Sequence, residues 1–143
     1  MPEHVFTLAA RGHAVDAQTN TLTIFSVVEE IGAPGLPVGI PQLSVITLWR
    51  RQKGEEGVAF VQRTRLVDPT GSEVFHFDQE FRLEKARHRS LGTVEMLPLE
   101  KPGAYNIEVQ IRKADDATFS TVATYRLDVS VTAKANEPLL KDS

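Results

Sequence analysis

The side chains most able to bind a metal or transfer a proton are few and scattered along this chain. The four histidines stand at positions 4, 13, 76 and 88. No two of them have the HxH or HxxxH spacing that brings a pair of imidazoles to one metal. His76 lies between Phe75 and Phe77, so in a strand it points away from the phenylalanine face. The spacing therefore predicts no histidine metal site and a solvent-facing His76.

Loop carboxylates suggest a calcium site as an alternative. Asp16, Gln18 and Asn20 have the spacing that begins a calcium loop. A glutamine occupies a usual Asp or Asn position, and the following glycine and final glutamate are absent. Asp115 and Asp116 could add ligands if both loops share one end of the fold. A polar hairpin turn explains the Asp16 segment and is favoured, and calcium or small-ligand binding stays as the alternative.

Nucleophilic catalysis lacks its usual sequence signals. The chain has no cysteine, which excludes a thiolate nucleophile, disulfides and cysteine metal ligands. Residues 70–74 do not match the GxSxG nucleophile elbow, and the acidic turn at residues 54–57 has the wrong charge to hold phosphate. We therefore expect no catalytic residue, no cofactor and no enzyme activity. A less favoured alternative is an enzyme site assembled across strands, in a pocket that joins His76 or His88 to a carboxylate.

Basic residues suggest a possible binding patch for an anionic partner. Arg63 and Arg65 share one face of a predicted strand, and Arg87 and Arg89 follow in the returning segment. If these strands pair, the four arginines form one positive patch. The favoured interpretation is a solvated sheet face whose arginines pair with Glu73, Glu80 and Glu84. Aromatic residues are not interleaved with the arginines, so we expect no specific nucleic-acid binding.

The stretch Gly32–Pro41 is rich in glycine and proline and predicts a stiff loop. Leu36, Val38 and Ile40 alternate along it. A stiff segment loses little entropy when it is ordered against a partner, so these side chains are the predicted contact surface for another protein. The competing interpretation, which is favoured, is that the same side chains close the end of the hydrophobic core.

Composition describes an ordinary globular protein. The chain has 143 residues, a net charge of −3 and an estimated pI of 5.8, so nothing draws it generally to nucleic acid or anionic membrane. The start of the chain lacks the basic and apolar regions of a secretion signal. The uncharged stretch from Ile31 to Trp49 contains three prolines and cannot form a membrane-spanning helix. These features predict a cytoplasmic protein.

Period-two alternation predicts the fold. Tyr105, Ile107, Val109 and Ile111 alternate with polar residues after Pro-Gly, as in a half-buried antiparallel strand. Similar patterns predict strands at residues 5–10, 21–28, 43–50, 58–67, 73–83, 93–97, 104–112 and 122–131. About eight strands without alternating helices indicate a single antiparallel two-sheet β-sandwich over residues 1–132, immunoglobulin-like or of related topology, followed by a flexible tail over residues 133–143. The predicted core contains Phe75, Phe77, Phe81, Tyr105, Ile107, Val109, Tyr125, Leu127 and Val129, with Trp49 at least half buried.

Two resemblances agree with this fold. Tyr105 is placed like the tyrosine near a strand start in immunoglobulin-like sandwiches. The segments at residues 14–16, 22–31, 48–51 and 65–71 resemble a family of small bacterial proteins with a domain of unknown function. That resemblance implies an all-β fold and assigns no functional residue. We therefore expect a non-catalytic interaction or assembly module that binds a protein partner or itself.

Overall fold

The computed structural model describes residues 1–132, and the predicted flexible tail over residues 133–143 lies outside them. The described residues form nine β-strands and no helix. The strands are β1 (Glu3–Val15), β2 (Leu22–Val27), β3 (Glu30–Ala33), β4 (Val38–Arg50), β5 (Ala59–Val67), β6 (Glu73–Arg82), β7 (Arg87–Leu99), β8 (Gly103–Lys113) and β9 (Ser120–Val131). Within residues 1–132, no helix is present that could cross a membrane.

The strands form two sheets, which confirms the predicted β-sandwich. One sheet has four strands in the order β2-β1-β4-β7, and the other has five in the order β3-β9-β8-β5-β6. All described pairings are antiparallel except β3 with β9, which is parallel and joins Glu30–Ala33 to residues 128–131. The chain passes from the first sheet to the second between β2 and β3.

Three predicted segments differ from the structure. β7 runs from Arg87 to Leu99, where a strand was predicted only over residues 93–97. β1 runs from Glu3 to Val15, well beyond the predicted strand at residues 5–10, because its second half pairs with β2. The predicted loop at residues 32–41 is shorter, since β3 ends at Ala33 and β4 begins at Val38. Ile31 and Ile40 enter the core on either side of this connection, and their burial favours strand geometry over a loop.

The core lies between the sheets and includes most of the predicted residues. Phe81, Tyr105, Ile107, Val109, Leu127 and Val129 are buried, and Trp49 has no exposed surface. The other predicted core residues, Phe75, Phe77 and Tyr125, are only partly buried. The core therefore extends less far along β6 and β9 than the alternation suggested.

A buried polar chain links the two sheets beside Trp49. The indole Nε1 of Trp49 donates to Oε1 of Gln62 at 2.8 Å, and Nε2 of Gln62 donates to the Thr64 hydroxyl at 3.0 Å. On the Trp49 side, Thr47 shares a hydrogen bond of 3.1 Å with Thr7. Because buried polar groups are costly when unpaired, these bonds favour one alignment of the two sheets.

Tyr105 closes the turn before its own strand. Its hydroxyl donates to the Lys101 carbonyl at 2.8 Å and accepts from the Lys101 amide at 3.2 Å. This is the bond to the upstream backbone that a tyrosine corner makes in immunoglobulin-like sandwiches. Gly103 lies inside the corner with φ of 127°, a conformation that glycine adopts without strain.

Candidate functional site: a groove over the four-stranded sheet

The pairing of β1, β4 and β7 shows which side chains leave the core. Residues directly opposite each other in an antiparallel sheet point to the same side. The row His4–Trp49–His88 points inward, because Trp49 packs against Phe60 and Phe81 of the other sheet. The next row, Phe6–Leu48–Arg89, therefore points outward. The outer face of this sheet thus carries large apolar side chains where solvent-facing residues would ordinarily be polar.

The end of the β1–β2 hairpin folds back over this outer face. β1 pairs with β4 only as far as Ala10, and a straight continuation would carry Val15 about 30 Å past Phe6, at about 3.3 Å per residue. Yet Nη2 of Arg89, in the Phe6 row, donates to the Asn20 carbonyl at 2.7 Å. Nδ1 of His13 also lies 3.2 Å from the Ser44 hydroxyl. Residues 12–25 are termed the hairpin arm.

The tip of the hairpin arm is a tight polar turn centred on Asp16. Oδ1 of Asp16 accepts the amides of Gln18 and Thr19, each at 2.9 Å. These hydrogen bonds lower the pKa of the Asp16 carboxyl, with the Thr19 amide contributing most. Asn20 then adopts φ of 57°, which asparagine tolerates, and its carbonyl faces Arg89. The Asp16 segment is therefore a structural turn, as the favoured interpretation predicted.

A groove of about 930 Å³ lies between the hairpin arm and the sheet. Its apolar floor is partly buried and consists of Phe6, Leu48 and Leu91 of the sheet, and Leu22 and Ile24 line the groove from the arm. Lys85, Arg87 and Arg89 stand along one side, on and just before β7. Among the described residues that line the groove, none carries a carboxylate. The arrangement can therefore hold an apolar group together with negative charge.

His88 borders the groove, but its ring points away from it into the core. Its ring stacks on Phe81 with centroids 4.2 Å apart and an angle of 4° between the planes. Burial lowers the pKa of His88 from its ordinary value of 6.5, because it penalises the charged form. His88 is therefore neutral at pH 7, and the groove's described lining gives it no carboxylate with which to form an acid–base pair.

The predicted patch of four arginines does not form. Arg63 and Arg65 lie on β5 of the five-stranded sheet, whereas Arg87 and Arg89 lie on β7 of the other sheet. The prediction required β5 and the segment of Arg87 and Arg89 to pair. Instead, β7 pairs with β4 in the four-stranded sheet, on the other side of the sandwich from β5. The basic residues therefore divide into two unrelated groups, and only Arg87 and Arg89 belong to the groove.

The β5 arginines are held in ion pairs on a solvated face, although among the described residues Glu73 takes part and the other two proposed partners, Glu80 and Glu84, do not. Arg63 binds both carboxylate oxygens of Asp78, at 2.8 and 3.0 Å. Arg65 binds Glu108 at 2.8 Å and Glu73 at 3.4 Å. The hydrogen bond from Arg63 lowers the pKa of Asp78. Because their charges are already compensated, these arginines offer little to an anionic partner.

The proposed apolar contact at residues 36–40 is largely turned toward the core. Ile40 has no exposed surface and belongs to the central cluster. Leu36 and Val38 are partly buried and pack against that cluster. Ile40 therefore cannot be a partner contact in this conformation, because its side chain is enclosed by the chain itself. Contact through Leu36 and Val38 stays a prediction.

The residues considered for metal binding do not converge. Asp16 lies in the β1–β2 turn of one sheet, and Asp115 lies in the β8–β9 turn of the other. Within residues 1–132, no group of three or more His, Cys, Asp or Glu side chains is arranged to hold a metal ion. His76 instead contacts Glu73, with Nδ1 3.1 Å from Oε2.

The groove was not predicted from the sequence, although one signal for it was present. Val45, Ile46, Leu48 and Trp49 make β4 apolar on both faces, a pattern that predicts a central strand. That position is confirmed, because β4 lies between β1 and β7. The outward apolar face also requires a cover, and the hairpin arm supplies part of it: Ile46 is fully buried.

Comparison with known proteins places the chain in a family. A solved structure that it resembles is an immunoglobulin-like protein from Pseudomonas aeruginosa. The two are 12% identical, the match covers 88% of this chain and 98% of the other, and the TM-score is 0.33. No curated protein matches the sequence. The model of a family of unknown function, DUF6941, matches residues 5–128, and the chain belongs to that family.

Proposed function

We propose that this chain is a non-catalytic protein-interaction module and that the groove beneath the hairpin arm is its contact surface. The observation that carries the proposal is the partly exposed apolar floor on the outer face of a sheet. A concave surface lined mainly by apolar side chains, with a few charged groups beside them, is the usual form of a binding site. Three basic residues along one side add a means of orienting the partner.

The chemistry of the groove supports binding over catalysis. Acid–base catalysis needs two groups of matched pKa within reach of the substrate. The groove's one histidine, His88, is stacked on Phe81 and has no carboxylate among its described neighbours in the lining. The calcium-binding alternative is not favoured, because Asp16 Oδ1 already accepts two backbone amides. We retain the bacterial cytoplasm as the proposed location, in keeping with the absence of cysteine.

Crosslinking followed by affinity capture in the native host tests the groove directly. The floor variant Leu48→Gln/Leu91→Gln is compared with the loop variant Leu36→Ser/Val38→Ser and with the unaltered protein. Circular dichroism and Tm first establish that each variant is folded. We expect a stoichiometric partner with the unaltered protein and the loop variant, and its loss with the floor variant.

Two results would contradict the proposal. A partner that is kept by the floor variant but lost by the loop variant would move the contact to Leu36 and Val38. Failure to crosslink any partner to the unaltered protein would remove the interaction-module function itself. The two variants are matched, because each replaces two partly buried aliphatic side chains with polar ones.

A further inference from the structure

We infer that the groove binds an extended stretch of a partner protein. In this stretch every second residue carries either a carboxylate or an aliphatic side chain. Its carboxylates contact Lys85, Arg87 and Arg89, and its aliphatic side chains lie on the apolar floor. This inference rests on the proposed function and specifies the chemistry of the partner.

The charge of the groove is opposite to that of the chain as a whole. The net charge is −3, yet the charged residues of the groove are all basic. Within residues 1–132, Lys85 and Arg87 have no carboxylate at ion-pair distance, and Arg89 donates to a neutral carbonyl. Arg63 and Arg65, by contrast, are each paired with a carboxylate. The cations beside the groove are therefore available to an anionic partner.

The spacing of the cations matches an extended segment. Arg87 and Arg89 are two residues apart on β7, so their Cα atoms are separated by about 6.6 Å along the strand. Alternate side chains of another extended chain repeat at the same interval. Two residues further along β7, Leu91 points to the same side and belongs to the apolar floor. A partner segment with the pattern acid-x-acid-x-aliphatic can therefore place its two carboxylates at Arg87 and Arg89 and its aliphatic side chain at Leu91. The segment can run in either direction along β7.

The hairpin arm makes the site a partly covered channel. Arg89 spans from β7 to the tip of the arm at Asn20, while Leu22 and Ile24 of the arm add apolar side chains to the lining opposite the floor. Each contact that a bound extended segment makes with the arm holds the arm in place. Binding should therefore slow hydrogen exchange of the arm amides.

Selection from a displayed library of random short peptides on the full-length protein tests the inference without knowledge of the natural partner. Peptides that bind the unaltered protein are counter-selected on the floor variant Leu48→Gln/Leu91→Gln, so that groove-dependent sequences remain. We expect these sequences to be rich in Asp and Glu at alternate positions and to contain aliphatic residues. One enriched peptide is then measured by fluorescence anisotropy.

Charge variants provide the quantitative readout for that peptide. Lys85→Glu/Arg87→Glu should weaken binding about tenfold or more, since attraction becomes repulsion while the Arg89–Asn20 contact is kept. The matched control Lys113→Glu/Arg126→Glu makes the same change in net charge on the five-stranded sheet and should change binding less than about twofold. Binding to the unaltered protein should weaken between about 0.01 M and about 0.15 M ionic strength.

The outcomes separate this inference from the proposed function. Groove-dependent peptides that are neutral or basic would overturn the acidic partner while leaving the groove as a binding site. No groove-dependent peptide would overturn both. A synthetic peptide of residues 133–143 serves as a competitor. If it binds the groove more tightly than the selected peptides, the occupant is the chain's own C-terminal segment and the inference is wrong.

Discussion

Nη2 of Arg89 lies 2.7 Å from the backbone carbonyl of Asn20, although the two residues are 69 positions apart in the chain. The contact joins β7, at one edge of the four-stranded sheet, to the tip of the hairpin whose second strand, β2, forms the opposite edge. It therefore spans the outer face of that sheet. The groove exists because this contact and the His13–Ser44 contact hold the hairpin arm above the apolar floor.

Removal of this contact should loosen the arm without unfolding the sandwich. For Arg89→Ala, we expect the amides of residues 12–25 to exchange about fivefold faster, which corresponds to about 1 kcal/mol for one solvent-accessible hydrogen bond. Hydrogen exchange followed by mass spectrometry measures this. Arg87→Ala, on the same face two residues away, is the control and should leave exchange in the arm unchanged. Equal exchange in both variants would mean that the contact does not hold the arm.

The Trp49–Gln62 hydrogen bond should contribute strongly to stability. Gln62→Leu leaves the Trp49 indole N–H and the Thr64 hydroxyl without their buried partner, so we expect a loss of about 2 kcal/mol in the free energy of unfolding. Urea unfolding monitored by the single tryptophan measures the loss. The control Gln110→Leu removes an exposed bond to Thr121 and should cost less than about 0.5 kcal/mol. Similar losses for both variants would contradict a special role for the buried chain.

The tyrosine corner should depend on the hydroxyl of Tyr105 and not on the side chain of Lys101. Tyr105→Phe removes both contacts with the Lys101 backbone, and we expect it to cost about 1–2 kcal/mol of unfolding free energy. Lys101→Ala keeps those backbone groups and loses only an exposed ion pair with Asp68, so it should cost less than about 1 kcal/mol. The prediction fails if Lys101→Ala proves the more damaging change in thermal or urea unfolding.

Stability should fall as the pH drops below the ordinary histidine value. Burial lowers the pKa of His4 and of His88 below 6.5 in the folded chain. Between that value and the lower folded pKa, the unfolded state binds more protons, so acidification favours unfolding. Urea midpoints should therefore decrease from about pH 7.5 to about pH 5.5, above the range in which most carboxylates titrate. His88→Phe keeps a ring against Phe81 and should reduce this dependence. An unchanged pH slope in that variant would contradict the prediction.

The fold followed from the sequence because its strands are encoded locally. The alternation from Tyr105 to Ile111 indicates a half-buried strand, and the structure has β8 there with those four residues buried. β3 was missed because it contains Gly32 and is followed directly by Pro34, and both residue types indicate a loop. β3 is a strand because it pairs in parallel with β9, almost a hundred residues later. The residues around β3 carry no pattern from which pairing with so distant a strand can be predicted.

The site could not be predicted for the same reason. Arg87 and Arg89 were recognised as candidate residues for an anionic partner, but they were assigned to the same surface as Arg63 and Arg65. Which sheet receives β7 is decided by long-range pairing with β4, and no alternation pattern distinguishes the two sheets. The fold-back of the arm likewise depends on the contact between Arg89 and Asn20. Single residues were therefore identified, while their grouping required the tertiary structure.

The parallel pairing of β3 with β9 has a consequence for how the protein is made. β3 and β8 both take β9 as a neighbour, so the five-stranded sheet stays divided until residues 120–131 have left the ribosome. Until then, the apolar side chains that β9 covers, such as Ile31, are exposed on a nascent chain whose first sheet already has all its strands. Aggregation or chaperone capture should therefore persist until late in translation, and nascent chains stalled before β9 should be more protease-sensitive than chains that include it.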